Sequence, residues 1–379
     1  MKGLLYLRPC ACRLRKGMVI IMKVVLYLFL VLAAISIMGC SASKDSKDTD
    51  SGNITKEAEN DITKPVSPTP TVVVNQNMEG SVMEAEIQSD AIAKNIIGDN
   101  ATRKIYIYLP PTYNSSDKTY PVVYFLHGYG DSPKSFMTMY EDKLNEAFSR
   151  GAEEFILVAL DGNNKTGGSF FVNSPVSGNW EDFVVNEVVG YMDTNYRTIA
   201  DNASRGISGY SMGGFGALYL SLRHPDVYNS ALVFCPGVFA EDALDEVLAS
   251  WKYWYDVNIS YAQAFSPNTE DTENYGNIIK EADVEAKNSV WEDWMNGYSN
   301  WGQKLDDYLA LDKPLKAIEI AYSLEDSFTW IPGGCQYLAG LLKEKNINYS
   351  SIKFDGGHIV PYDGIESYFV PFFGENLTY

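Results

Sequence analysis

One serine lies in a sequence pattern that could make it a nucleophile. The segment Gly209–Gly213 reads Gly-Tyr-Ser-Met-Gly, the G-x-S-x-G form in which serine occupies a very tight turn from a strand into a helix. Glycines two positions on either side remove side chains that would clash in such a turn. Residues 205–208 indicate the strand, and residues 213–221 are typical of the helix. The spacing therefore predicts that Ser211 attacks a carbonyl carbon.

A serine hydroxyl is a poor nucleophile at neutral pH and needs a neighbouring base, and the chain offers three histidines. His127 directly follows an apolar strand, where we expect it to shape a turn. His224 precedes a proline at the end of a helix, which predicts a capping or packing role. His358 follows the last predicted strand, in a loop that can reach over Ser211. Elimination therefore favours His358 as the base.

The base needs a carboxylate that orients its ring, and the developing oxyanion needs N–H donors. In the chain order serine, acid, histidine, the carboxylate follows the strand predicted at 315–321. Glu325 and Asp326 both occupy this place; we favour Asp326. The turn after the strand 121–126 is suited to an oxyanion donor, from the backbone of Gly128 or Tyr129. The chemistry needs no metal and no organic cofactor, and no cysteine and histidine cluster has metal-site spacing.

Strands and helices alternate along much of residues 79–379, which predicts an α/β fold. Apolar runs at 121–126 and 155–160 are typical of strands buried on both faces. Helical patterns at 137–149 and 181–194 lie between strands. We therefore expect a mostly parallel central sheet with helices on both faces.

Residues 240–310 break this alternation and are rich in aromatic side chains. We interpret them as a helical insertion between two core strands, which could form a lid or one wall of a cleft. Trp254 and Trp291 within it, and Trp180 before it, are candidate substrate-binding residues. The alternative is that the aromatic side chains pack the small core of the insertion itself.

The first 78 residues have the composition of a targeting segment followed by a tether. Positive residues precede an apolar run at 24–38 that is short for a membrane span, and Gly39-Cys40 follows it. This layout predicts a lipoprotein signal peptide over 1–39, with Cys40 lipidated; a plain secretory signal or an uncleaved anchor is the alternative. Residues 40–78 are polar and predict a flexible tether. We therefore expect an extracytoplasmic protein, held at a membrane by its lipid alone or else secreted.

The net charge of −19 argues against nucleic acid and anionic membrane surfaces as partners. Cys235 and Cys335 are the cysteines of the predicted catalytic domain, and they could pair. Cys235 ends an apolar strand, which favours a buried thiol instead.

Four motifs together resemble the esterase D-like family of α/β-hydrolases, whose members include feruloyl esterases, acetyl xylan esterases, S-formylglutathione hydrolases and mycolyltransferases. The motifs are His127–Gly130, Ser208–Leu218, Arg223–Asp226 and Gly356–His358, and the resemblance covers residues 100–370. It implies an α/β-hydrolase fold with Ser211, Asp326 and His358 as a catalytic triad. It also implies that the Met212 N–H is one oxyanion donor and that Tyr129 stands where relatives supply the second.

Two segments depart from the family pattern. Residues 321–326 lack a glycine that is common near the acid, and Cys235-Pro236 replaces Ser-Gly. The resemblance and the export signal together favour an exported serine carboxylic ester hydrolase acting through an acyl-enzyme. Its expected substrates are small-molecule or polysaccharide-linked esters, such as feruloyl or acetyl groups on plant polysaccharides. A general short-chain carboxylesterase, an acyltransferase, or a non-catalytic carbohydrate-binding surface lipoprotein are the alternatives.

Overall fold

A computed structural model describes residues 79–379 of the 379-residue chain. The predicted signal peptide at 1–39, the lipidation site Cys40 and the tether at 40–78 lie outside these residues, so they stay predictions. Within the described part of the chain, no helix combines the length and the apolar character that crossing a bilayer requires.

An eight-stranded sheet forms the centre of the described residues. Its strands are β1 (Ser81–Gln88), β2 (Thr102–Leu109), β3 (Val122–Leu126), β4 (Ile156–Leu160), β5 (Arg205–Tyr210), β6 (Ser230–Phe234), β7 (Ala317–Ser323) and β8 (Ser350–Phe354). The order across the sheet is β1-β2-β4-β3-β5-β6-β7-β8. β2 pairs antiparallel with β1 and β4, and every other pairing is parallel. The mostly parallel sheet is therefore confirmed, and its antiparallel edge is a feature that the sequence pattern did not predict.

Helices connect the parallel strands because such strands cannot be joined by tight turns. Those outside the insertion are α1 (Pro133–Ser149), α2 (Val189–Asn195), α3 (Met212–Arg223), α9 (Trp330–Glu344) and α10 (Val370–Asn376). Shorter helical turns lie at Ile92–Lys94, Tyr113–Ser115, Trp180–Asp182, Phe183–Val188, Asn202–Ser204 and Ile365–Phe369, and a two-residue strand pair joins Asn173–Ser174 to Gly178–Asn179. Residues of β3, β4 and β6 are buried throughout, and the apolar runs at 121–126 and 155–160 predicted this burial for β3 and β4.

The aromatic-rich insertion lies between β6 and β7 and is helical, as predicted. It comprises α4 (Leu244–Trp251), α5 (Tyr255–Phe265), α6 (Glu281–Ala286), α7 (Ser289–Tyr298) and α8 (Trp301–Ala310). The rings of Tyr261 and Trp294 lie 4.9 Å apart between α5 and α7. The Tyr298 ring lies 4.8 Å from Phe215 of α3. Most aromatic side chains of the insertion thus build its own core and attach that core to the helix after Ser211.

Cys235 and Cys335 are both buried, and within residues 79–379 no disulfide joins them. The open question of a disulfide between them is therefore answered against pairing.

Candidate active site

Ser211 occupies the turn between β5 and α3 in a strained backbone conformation. Its φ of 57° and ψ of −116° lie outside the regions that non-glycine residues ordinarily adopt. A Cβ atom on Gly209 would collide with the carbonyl group of Gly213, and one on Gly213 would collide with the carbonyl group of Leu126. The two glycines therefore allow the turn to form, and the turn presents Ser211 at the carboxyl end of its strand.

The structure brings Ser211, His358 and Asp326 together in a continuous hydrogen-bonded series. His358 Nε2 lies 2.9 Å from Ser211 Oγ, and His358 Nδ1 lies 2.7 Å from Asp326 Oδ2. The other Asp326 oxygen accepts the Phe328 N–H at 2.8 Å. Asp326 is buried, whereas the alternative acid Glu325 is exposed. The three side chains follow β5, β7 and β8, whose carboxyl ends meet at one edge of the sheet.

Two aromatic side chains hold the His358 loop in place. The Tyr210 hydroxyl donates to the carbonyl oxygen of His358 at 2.6 Å, and burial raises the pKa of Tyr210, so this hydroxyl stays a donor. The rings of Tyr210 and Phe328 lie 4.9 Å and 4.8 Å from the imidazole. The ring of His358 is thus fixed by packing as well as by its hydrogen bonds.

A cysteine, a carboxylate and an imidazole lie close together beside the serine. Cys235 Sγ, a carboxylate oxygen of Asp326 and a ring nitrogen of His358 are all within 4.8 Å of one another. Burial raises the pKa of Cys235 to about 12, and the negative charge of Asp326 acts in the same direction. A thiol that stays protonated is a poor metal ligand, and both His358 nitrogens already face Asp326 and Ser211. We therefore interpret the cluster as part of the triad's surroundings.

The predicted oxyanion donors lie beside the serine. A Cβ atom on Gly128 would lie 3.4 Å from Ser211 Cβ, so the turn after β3 directly faces the nucleophile. Within residues 79–379, the backbone N–H groups of Gly128, Tyr129 and Met212 have no hydrogen-bond acceptor. N–H groups that are fixed and unpaired beside a nucleophile are suited to a developing oxyanion.

His127 stabilises the turn that carries Gly128 and Tyr129. The Gly162 N–H donates to His127 Nε2 at 2.9 Å, so that nitrogen carries no proton. His127 Nδ1 therefore carries the proton and donates to the Gly128 carbonyl oxygen at 2.7 Å. Its side chain is buried, which fits the structural role expected from the sequence.

The three candidate substrate-binding tryptophans have different positions. Trp180 has no exposed surface, its Nε1 donates to the Ser177 carbonyl oxygen at 2.9 Å, and the Arg103 guanidinium covers its ring. The prediction for Trp180 is therefore wrong, because the side chain packs in the core. Trp291 lies beside a groove of the insertion that contains none of the triad residues.

Trp254 is the tryptophan that reaches the site. Its side chain is 51% exposed at the start of α5, and its ring lies 6.5 Å from Tyr129 and 5.8 Å from Phe328. Phe328 in turn contacts His358, so an aromatic surface extends from the imidazole to the oxyanion turn. Sequence reasoning missed Phe328, since an aromatic residue two positions after an acid carries no motif.

A mainly apolar cavity of about 180 Å³ also borders His358. It lies between the start of α1 and the loop after β8, and its lining includes Phe136, Met139, Tyr210 and Ile359. His358 therefore borders both this cavity and the aromatic surface formed by Phe328 and Trp254.

The sheet topology and the arrangement of Ser211, His358 and Asp326 are those of the α/β-hydrolase class. A family model described as "Putative esterase" matches residues 98–369, and the chain belongs to this esterase family. The resemblance stated from the motifs is thereby confirmed.

Curated relatives are named as an esterase and as a hydrolase, and they share only part of their length with this chain. An esterase of Mycobacterium tuberculosis strain H37Rv is 33% identical over 132 residues, which cover 34% of this chain and 27% of that esterase. An S-formylglutathione hydrolase of Arabidopsis thaliana is 31% identical over 148 residues, which cover 34% of this chain and 50% of that hydrolase. The matched region thus spans half or less of these relatives.

Solved structures of esterases share the fold. A ferulic acid esterase superposes with a TM-score of 0.52 at 19% identity, covering 79% of this chain and 100% of that chain. An S-formylglutathione hydrolase from Agrobacterium tumefaciens superposes with a TM-score of 0.52 at 17% identity, covering 80% of this chain and 98% of that chain. At these identities the likeness concerns the α/β-hydrolase fold.

Proposed function

We propose that this protein is a serine carboxylic ester hydrolase that works through an acyl-enzyme. The observation that carries the proposal is the hydrogen-bonded series from Ser211 Oγ through His358 to Asp326, with distances of 2.9 Å and 2.7 Å. The nucleophile, its base and an acid that orients the base are therefore already in contact.

In the acylation step, Ser211 Oγ attacks the ester carbonyl carbon while His358 Nε2 takes the hydroxyl proton. Asp326 accepts from His358 Nδ1 and stabilises the imidazolium that forms. The N–H groups of Met212 and Tyr129 donate to the oxyanion, and removal of one such donor typically costs roughly 3–4 kcal/mol of transition-state stabilisation. The tetrahedral intermediate then collapses, and the proton passes from His358 to the departing alcohol oxygen.

In the deacylation step, a water molecule attacks the acyl-enzyme carbonyl carbon. His358 takes a proton from this water and returns it to Ser211 Oγ when the carboxylic acid leaves. Every proton transfer in the cycle thus passes through Nε2 of one histidine.

For the substrate, we propose acyl esters carried on plant polysaccharides, such as feruloyl or acetyl groups. Support comes from the exposed aromatic side chains Tyr253, Trp254 and Tyr255 at the start of α5, with 90%, 51% and 59% of their surface exposed. Aromatic faces stack on sugar rings and on flat acyl groups. The Trp254 ring also lies beside Tyr129 of the oxyanion turn. A solved structure that shares the fold is named a ferulic acid esterase.

We also propose that the protein is exported and held at a membrane by a lipid on Cys40. The apolar run at 24–38 after a positive segment, followed by Gly39-Cys40, supports this proposal.

An ester panel tests the chemistry and the substrate class together. The panel contains p-nitrophenyl esters of rising chain length, methyl ferulate and acetylated xylan. We expect hydrolysis by the wild-type protein, and a kcat lower by roughly 10⁴–10⁶-fold in Ser211→Ala. A fluorophosphonate probe should label Ser211 in the wild type.

Trp254→Ala should raise the KM for methyl ferulate and leave the KM for p-nitrophenyl acetate unchanged. Leu309→Ala is the control, because Leu309 is another exposed apolar side chain of the insertion.

Distinct results separate the alternatives. A folded wild-type protein without hydrolysis or probe labelling would favour the non-catalytic binding protein. Faster acyl transfer to an added sugar than to water would define an acyltransferase with the same acyl-enzyme. Hydrolysis of p-nitrophenyl esters alone would define a general short-chain carboxylesterase.

A further inference from the structure

The side chain of Tyr129 connects the oxyanion turn to the helical insertion. Its hydroxyl donates to the Thr166 carbonyl oxygen at 2.6 Å and lies 3.1 Å from Oγ of Ser260 in α5. Burial raises the pKa of Tyr129 to about 12, so the hydroxyl keeps its proton at neutral pH. Two segments distant in sequence therefore meet at one side-chain oxygen.

A short loop after β4, residues 162–168, carries this connection. Asn164 Oδ1 accepts the N–H groups of Thr166 at 3.0 Å and Gly168 at 3.1 Å, which fixes the shape of the loop. On the insertion side, Thr166 Oγ1 bonds Gln263 Oε1 of α5 at 3.0 Å, and Ser260 Oγ lies 2.9 Å from the Thr166 carbonyl oxygen. The loop is thus attached to two successive turns of one insertion helix.

The other side of the loop is attached to the oxyanion turn itself. The Gly130 N–H donates to the Gly167 carbonyl oxygen at 3.1 Å. A Cβ atom on Gly167 or Gly168 would overlap the Tyr129 ring, and one on Gly168 would also overlap Met212 Sδ. The Tyr129 ring therefore packs directly against Gly167 and Gly168, and a side chain at either position would displace it.

We propose that Ser260 and Thr166 are positioning residues that act through the Tyr129 hydroxyl and hold the N–H of the 128–129 turn where the oxyanion forms. The inference rests on the proposed function and assigns a role to the insertion within the same reaction. Helix α5 then acts as a fixed support for the oxyanion site, and not as a lid that opens in each turnover.

The expected decrease in kcat depends on whether a variant loses the oxyanion donor itself or only the contact that positions it. Removing an oxyanion donor outright lowers kcat by roughly 10²–10³-fold. A variant that loses only the contact anchoring the turn still has the N–H donor. We therefore expect kcat to fall about tenfold, which is less than the fall caused by removing the donor. Because the turn binds the oxyanion and not the ground-state ester, kcat should fall while KM changes little.

The test uses Ser260→Ala, Tyr129→Phe and their double variant. We expect each single variant to lower kcat about tenfold on p-nitrophenyl acetate, and the double variant to lose no more than the larger single loss, because both remove one connection. Affinity for a trifluoromethyl ketone, which mimics the tetrahedral intermediate, should weaken by the same factor as kcat/KM. Thr166→Val removes the Oγ1 contacts with Gln263 and Ser260 but keeps the carbonyl oxygen that accepts from Tyr129, so we expect a smaller decrease in kcat than in Tyr129→Phe.

Ser266→Ala is the matched control. Ser266 is a buried serine at the end of the same helix, and its hydroxyl donates to Asp293 at 2.6 Å, within the insertion. We expect this variant to lose as much thermal stability as Ser260→Ala while its kcat stays unchanged.

Unchanged kcat in Ser260→Ala and Tyr129→Phe would overturn the inference and leave the proposed function intact. An equal loss of kcat in Ser266→Ala would also overturn it, since general loosening of the insertion would then suffice. Absence of hydrolysis and of fluorophosphonate labelling in the wild type would instead overturn the proposed function.

Discussion

Asp326 and Glu325 are adjacent acids whose surroundings give them different chemistry. The Asp326 carboxylate is buried and accepts from His358 and from the Phe328 N–H, so its lone pairs face fixed donors. Glu325 is exposed, and its backbone N–H donates to Ser323 Oγ at 3.1 Å. Only the buried carboxylate can keep the imidazole in the tautomer that leaves Nε2 free to accept the serine proton.

Replacing each acid by its amide distinguishes the role of Asp326 from that of Glu325. Asp326→Asn should lower kcat by about 10⁴-fold, because the amide favours the wrong tautomer of His358. Glu325→Gln makes the same chemical change one residue away and should leave kcat within about twofold, since exposed polar substitutions rarely disturb a distant site. Steady-state hydrolysis of p-nitrophenyl acetate measures both. A larger loss in Glu325→Gln would contradict the assignment of Asp326.

At single residues, the sequence predicted the chemistry better than it predicted contacts with substrate. Ser211 and His358 were found because a glycine motif and a small number of histidines restrict the choices. Trp180 was chosen by residue type alone, and type does not say whether a ring faces solvent or core. Ser260 and Thr166 carried no signal, because hydroxyl residues are common and their roles depend on contacts between distant segments.

The junction of β5 and α3 is the element on which the site depends. Here the chain turns so tightly that Gly213 approaches the backbone of Leu126 in the neighbouring strand β3. Any side chain at this position would force the strand and the helix apart.

Gly213→Ala should therefore destabilise the protein and abolish function at once. We expect a loss of at least about 2 kcal/mol in the free energy of unfolding, because the added Cβ would overlap backbone atoms that cannot move aside. Gly340→Ala is the control, since Gly340 lies within α9 with open space around a Cβ atom. That variant should gain about 0.5–1 kcal/mol from helix propensity. Urea unfolding measures both, and a Gly213→Ala protein with wild-type stability and probe labelling would disprove the steric argument.

Individual elements were predictable where hydrophobic patterns were strong, and their arrangement was less so. The buried strands β3 and β4 correspond to the apolar runs at 121–126 and 155–160. β1 ends at Gln88, where its last partner in β2 is Thr102, so the end of the strand depends on its neighbour. Strand order and the antiparallel edge depend on which distant segments pair, and a local pattern holds no information on that choice.

For the whole molecule, the proposed attachment to a membrane depends on Cys40. If this cysteine carries lipid, the protein should sediment with membranes and be released by detergent. Cys40→Ser should move the enzyme into the soluble exported fraction, because a lipid supplies membrane affinity that the acidic chain lacks. Esterase activity in each fraction measures the distribution. Unchanged membrane association in Cys40→Ser, with the signal segment still attached by mass spectrometry, would indicate an uncleaved anchor instead.

The triad joins parts of the chain that are far apart in sequence, which affects when activity can appear. Ser211 and His358 are separated by 147 residues, and His358 follows β8, the last strand. Contacts of such long range form late, because a long loop must close before they contribute stability. A growing or truncated chain that ends before β8 contains the nucleophile but not its base. We therefore expect hydrolysis to appear during refolding only after the segment that follows β8 has reached Ser211, so activity reports when this long-range contact forms.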